Sequence, residues 1–232
     1  MAIYSKLAEF YDALVEDPEA TLKWVHFVSD NIAGKKILEL ACGSGSITKA
    51  LGEAGYDILA TDISPEMLDL AKEKAAGLPI DFRIMDMTKL EITDQYNAVI
   101  CFCDSINYLE KYEDLDKLFK ESYQALAEKG VLLFDMHHEN RLGEFKEGWD
   151  EQGHIGTTDY QWLIESEDNQ IVQYFNFVND NRVYQEVHVQ TVFAVDRVIE
   201  MLKRIGFSVE VLNDYNIFNE DLKERYFLKA TK

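Results

Sequence analysis

Positive charge is scarce in this chain. Its 23 lysines and arginines face 43 aspartates and glutamates, a formal net charge of −20 at pH 7. A surface that acidic repels phosphate backbones and anionic lipid, which counts against nucleic acid and membranes as partners. Cysteine is scarce as well. Cys42, Cys101 and Cys103 make an odd set without metal-ligand spacing, so no metal is expected. Cys101 and Cys103 alternate along an apparent strand and face opposite ways. Free thiols of a reducing cytosol are the plain reading, and a cytoplasmic location is expected. No apolar run approaches the ~20 residues that cross a bilayer. The opening "MAIYSKLAEFYDALVED" carries acids and no basic start before an apolar stretch, so it does not read as a signal peptide. Repeats and low-complexity linkers are missing too. What the chain does have is 47% hydrophobic and 12% aromatic residues over 232 positions. That fills a sizeable core and suits one core with an inserted or appended subdomain.

Residues 1–30 read as helical, with Leu7, Phe10, Tyr11, Leu14 and Val15 at helical spacing and Asp17-Pro18 marking a break and a new start. From residue 36 strands and helices alternate. "KILELA", "YDILATD", "PIDFRIMDM", "YNAVICFCDS" and "GVLLFDM" read as strands; "SITKALGEAG", "SPEMLDLAKEKAAG" and "EDLDKLFKESYQALAEKG" read as helices. The near-continuous apolar strands imply a parallel sheet covered on both faces. Over residues 153–192 the rhythm breaks into "TTDYQWLIES", "NQIVQYFNFV" and "RVYQEVHVQTVF", aromatic and β-branched, with a hairpin turn expected at "NDN". The expectation is an α/β fold with an antiparallel β ribbon inserted after the fifth strand. The helix "AVDRVIEMLKRIGF" and the strands "SVEVLNDY" and "RYFLKATK" then complete the core.

The first strand runs into Gly43-Ser44-Gly45, and a helix follows. Glycine lets a ligand approach the backbone, and the helix start offers unpaired amides to a negative group. In an open parallel sheet such a turn lies where ligands bind. Asp62 ends the second strand, 19 residues after Gly43, where an acid can accept both hydroxyls of a ribose. Asp86 ends the third strand, placed to accept the exocyclic amine of an adenine lying against Ile63 and Met87. A nicotinamide dinucleotide would prefer a third glycine where Thr48 stands, so a nicotinamide oxidoreductase is disfavoured.

Together "ILELACGSGSIT", "ATDISPEML", "IMDM" and "YNAVICFCDSINYL" resemble the class I S-adenosylmethionine-dependent methyltransferases. With "FCDSINYL" and "FDMHHENRL", the chain is similar to bacterial small-molecule methyltransferases with an antiparallel insert. The resemblance implies a Rossmann-like seven-stranded, mostly parallel sheet in the order 3-2-1-4-5-7-6. It implies a core over residues 1–136 and 194–232, and a subdomain over 137–193 covering the substrate. The cofactor implied is S-adenosylmethionine. Gly43 and its neighbours Ala41, Ser44 and Gly45 are expected near its methionine end, with Glu39 behind the loop. Asp62 is expected on the ribose, Ile63, Met67, Asp86 and Met87 around the adenine, and the backbone near Cys103 on the ammonium.

Methyl transfer mainly needs alignment, with removal of a proton where the acceptor atom carries one. Substrate contacts are expected where the fourth and fifth strands end, at Asp104, Ser105, Asn107, Tyr108, His137 and His138. Ribbon alternation puts Tyr184, Glu186, His188 and Gln190 on one polar and aromatic face. Tyr4 and Tyr11 can close the site from the other side. His137 is the first choice of base because a core strand end is the more rigid platform. The function expected is methyl transfer to N or O of a small molecule. The alternatives are an RNA methyltransferase, with a basic rim around Lys146, Arg182 or Arg197, and a catalytically silent cofactor-binding partner with an exposed apolar patch.

Overall fold

Asp17 accepts hydrogen bonds from the amides of Glu19 and Ala20 (2.8 and 3.0 Å), and Pro18 takes the first helical turn. That combination opens helices. The computed structural model describes residues 7–93, 95–179, 182–212 and 224–232. Helices α1 (Tyr11–Val15) and α2 (Pro18–Asn31) lead into β1 (Lys36–Glu39), α3 (Ser46–Glu53), β2 (Asp57–Asp62), α4 (Pro65–Lys74) and β3 (Asp81–Ile84). Next come β4 (Tyr96–Cys101), α5 (Tyr112–Ala125), β5 (Leu126–His137) and α6 (Asn140–Glu144). Four antiparallel strands follow: β6 (Trp149–Ile155), β7 (Thr158–Glu167), β8 (Gln170–Asn179) and β9 (Arg182–Thr191). The chain returns to the core through α7 (Val195–Ile205), β10 (Ser208–Leu212) and β11 (Arg225–Thr231).

The central sheet has the order β10-β11-β5-β4-β1-β2-β3. Counting core strands alone, this is the expected 3-2-1-4-5-7-6. β11 is antiparallel to both β5 and β10, and the other pairs are parallel. The order reverses between β1 and β4, so a crevice opens at their carboxyl ends. Ala98, Val99, Ile100 and Cys101 of β4 are fully buried because apolar layers cover both faces. Phe119, Phe134 and Leu202 pack on one side; Trp24, Phe27 and Phe102 pack on the other, with Trp24 stacked on Phe102 at 4.4 Å. Among the described residues no helix is long and apolar enough to cross a membrane.

Two segments depart from the sequence reading. α5 stops at Ala125, and Leu126 already pairs with Tyr96, before a register shift. "ALAEKG" has strong helix formers, but pairing with β4 overrides them. The ribbon has four strands where three were expected. β6, "WDEQGHI", has apolar residues only at its two ends, so it shows no alternation. The expected turn at 179–181 and the continuation of β10 to Tyr215 reach beyond the described residues.

Candidate active site

β1 ends in a turn of left-handed residues: Ala41 (φ +52°), Gly43 (+55°) and Gly45 (+82°). A Cβ on Gly45 would stand 2.7 Å from Ala71 Cβ, so this glycine lets α3 and α4 approach closely. A Cβ on Gly43 would meet nothing within 4 Å; that side of the turn is open. Asp62 braces the turn from the tip of β2. Its Oδ2 accepts from the Gly43 amide and its Oδ1 from the Ser64 amide, both at 2.9 Å. The Ile63 amide also acts on this carboxylate, which still keeps acceptor capacity. Burial pushes the Asp62 carboxyl up, against the pull of those amides. Glu39 lies deeper. Burial pushes its carboxyl up to about 8, opposed by the nearby Thr48 hydroxyl and reinforced by Asp62. Neither the Thr48 hydroxyl nor Glu39 Oε2 has a hydrogen-bond partner among the described residues.

From this turn a cavity of about 740 Å³ runs to the inner face of the β6–β9 sheet, within the roughly 300–1,000 Å³ of small-molecule sites. Glu39, Ala41, Gly43, Ser44, Gly45, Asp62, Ile63, Met67, Met87 and Cys103 line it, as do Tyr11, Tyr108 and His137. Asp86 does not. Its Oδ1 accepts from the Thr88 amide and hydroxyl (2.9 and 2.7 Å), and Lys89 sits 3.4 Å from Oδ2; the side chain caps its own turn instead of facing the crevice. His188 also stays out of the lining. It is buried behind Tyr108, with Nδ1 2.9 Å from the Tyr108 hydroxyl and Nε2 3.0 Å from Glu186 Oε1. Tyr4 lies outside the described residues.

The tip of β4 is strained. Cys103 and Asp104 both have positive φ (+56° and +52°), costly for residues with a side chain. Buried partners hold them there. The Asp104 amide donates to Asp135 Oδ2 (2.9 Å), and Arg225 lies 2.8 Å from Asp104 Oδ1 while also donating to Asp135. Although burial opposes it, Arg225 and His137 hold the Asp104 carboxyl well below the usual carboxylate range. Burial pushes Asp135 up. His137 Nε2 is 3.0 Å from Asp104 Oδ2 and 3.0 Å from Gln190 Oε1. Asn107, fully buried, accepts from the His137 amide (3.1 Å) and donates to the Thr191 carbonyl (2.7 Å). Core and roof thus meet at the end of β5.

The roof contributes Trp149, Trp162, Ile164 and Phe175, with Trp162 stacked on Phe175 at 5.1 Å. α1 closes the other end. Lys74 binds Asp12 (2.7 Å), Glu16 (3.4 Å), Ser44 (3.2 Å) and Ser46 (2.7 Å), and so ties α1 to the glycine turn. Sequence reading did not single out Asp135, Arg225, Gln173 or Lys74. Asp135 carried a signal, a lone acid in "VLLFDM". Arg225 carried none, because only its register opposite His137 brings it there.

A methyltransferase domain matches residues 37–130. "Putative methyltransferase YqeM" of Bacillus subtilis (strain 168) is 32% identical over 99% of this chain and 97% of its own length. The chain belongs to the S-adenosylmethionine-dependent methyltransferases. Its cofactor is S-adenosylmethionine. Such a methyltransferase from Clostridium acetobutylicum ATCC 824 superposes with a TM-score of 0.81 at 27% identity, covering 98% of each chain. The sugar N-methyltransferase KedS8 from Streptoalloteichus sp ATCC 53650 shares the fold, with a TM-score of 0.79 at 19% identity, over 100% of this chain and 94% of that one. The crevice fits this cofactor: it offers open space beside Gly43, spare acceptor positions on Asp62, an unpartnered oxygen on Glu39, and apolar Ile63, Met67 and Met87.

Proposed function

We propose that this methyltransferase methylates nitrogen or oxygen of a small molecule held between the tips of β4 and β5 and the β6–β9 sheet. One observation carries this reading. The cavity that begins at the glycine turn continues without a break to His137 and the roof aromatics Trp149, Trp162 and Phe175. In this reading residues 137–193 cover the acceptor. Asp62 holds the ribose, Ile63, Met67 and Met87 flank the adenine, the turn from Ala41 to Gly45 and Glu39 surround the methionine end, and the backbone at Cys103 takes the ammonium. Tyr11 and Tyr108 border the acceptor. When bound, the cofactor supplies a methyl group on a sulfonium, already a good leaving group. The chain's own task is to align the acceptor and take its proton.

A nitrogen acceptor is the better fit. Arg141 and Arg225 are the arginines of the described lining, and both are ion-paired to carboxylates. Lining acids such as Asp17, Asp62 and Glu151 favour a cationic ligand. An ammonium is ~4 pKa units from imidazole, a gap of ~5 kcal/mol. An aliphatic hydroxyl, about as weak an acid as water, is ~9 units away. The sugar N-methyltransferase with the same fold is consistent with an amine, though it shares the fold alone.

The RNA reading has little support, since none of Lys146, Arg182 and Arg197 lines the cavity. The silent-partner reading has one supporting feature: Val178, Val183, Val187 and Val189 are exposed on the outer roof. A panel of amines, phenols and alcohols, read out by S-adenosylhomocysteine release, tests the proposal. Turnover with amines is expected. Cofactor binding without turnover on any small molecule would overturn it.

A further inference from the structure

The buried ring of His137 is bracketed so that its surroundings decide which nitrogen carries the hydrogen. The chain of contacts starts at Trp162 on β7. An indole Nε1–H can only donate, and it lies 3.1 Å from Gln173 Oε1 on β8. Gln173 Nε2 therefore turns toward Gln190 Oε1 on β9, at 2.7 Å. Gln190 Nε2 in turn donates to Asp104 Oδ2 at 2.9 Å. An ionised carboxylate can only accept, and Arg225 beside Oδ1 keeps Asp104 ionised. A compulsory donor at one end and a compulsory acceptor at the other demand the same orientation of both amides.

The consequence falls on His137. Its Nε2 faces Gln190 Oε1 and Asp104 Oδ2, each at 3.0 Å, and both are acceptors. Nε2 must carry the hydrogen. Nδ1 is buried, has no hydrogen-bond partner among the described residues, and belongs to a residue that lines the cavity. In the neutral ring it holds a lone pair that no protein group uses. His188 differs, for both its nitrogens are engaged, by Tyr108 and Glu186.

We propose that Trp162, Gln173, Gln190 and Asp104 are positioning residues that lock His137 as the Nε2–H tautomer, which leaves Nδ1 as the ring nitrogen with an unused lone pair. This rests on the reading of His137 as the base. The inserted sheet thus does more than cover the substrate. Three of its strands reach through this chain of side chains to set the state of a residue on the core.

The test needs no acceptor. Long-range proton–nitrogen NMR correlations on the full chain labelled with nitrogen-15 histidine separate its five histidines, and His137 is identified by its absence in His137→Gln. In wild type at pH 7.5, a protonated Nε2 and a bare Nδ1 are expected. A proton on Nδ1, or an even mixture, overturns the proposal without any variant. In Trp162→Phe/Asp104→Asn both ends of the chain are released, and the Nδ1–H share is expected to rise to roughly half. A single unchanged tautomer in that folded variant overturns the relay. Full turnover in His137→Gln, measured with an acceptor from the panel, would instead remove the base reading while leaving the tautomer result intact. The two failures are therefore distinguishable.

Discussion

Asp62 is the side chain on which the nucleoside reading turns, and it has two duties. It braces the glycine turn through the Gly43 amide, and in the proposed reading it also holds the ribose. Asp62→Ala is expected to weaken S-adenosylmethionine binding by about 1–3 kcal/mol, the usual cost of stranded hydrogen-bond partners, as read by calorimetry. Glu39 makes a pH-dependent contribution. Its native carboxyl titrates near 8 instead of near 4.5, so the fold prefers it neutral. Below about 4.5 folded and unfolded states both hold the proton, and stability is intact. As pH rises toward 8 the unfolded chain ionises first, and stability is lost. Glu39→Gln cannot ionise, and is expected to be more stable than wild type at pH 8 by on the order of 4 kcal/mol, with a much smaller difference near pH 4.5. Denaturant titration at the two values checks this. Most residues that line the glycine-turn end of the cavity were legible in the sequence because they sit at strand tips, where position follows from chain order. Asp86 shows the limit, since its tip position was legible but its local turn with Thr88 was not.

At the scale of elements, the two glycines after β1 are separable. Gly45 packs against Ala71 of α4, and Gly43 faces open space. Gly45→Ala is expected to cost about 3 kcal/mol, from the left-handed backbone and the clash together, and to lower Tm by roughly 6–12 °C. Gly43→Ala is expected to cost about 1 kcal/mol while abolishing cofactor binding. Equal stability losses would contradict the division. The alternating core was readable because its central strands β1, β2, β4 and β5 carry long apolar runs and its helices begin with caps such as Ser64, which accepts from the Met67 amide. β6 was not, for its polar sequence is ordered by pairing with β7 and not by a pattern of its own. The extended start of β5 was hidden in the same way, behind helix-forming residues.

Across the whole molecule, one site is assembled from parts distant in sequence. Leu7 donates its amide to Glu186 on the roof (3.1 Å), Lys74 joins α1 to the glycine turn, and Arg225 reaches the tip of β5 from the last strand. No local window of sequence announces such contacts. Lys74→Met is expected to speed cofactor release several-fold, measurable by stopped flow, because it frees α1 from the crevice. The measurement that bears most directly on the account is calorimetric titration of the full chain with S-adenosylmethionine and with NADH, repeated on Asp62→Ala. Saturable one-to-one binding of S-adenosylmethionine, none of NADH, and at least a several-fold loss in the variant are predicted. Binding of NADH, or an Asp62→Ala protein that takes up S-adenosylmethionine with wild-type affinity, would contradict it.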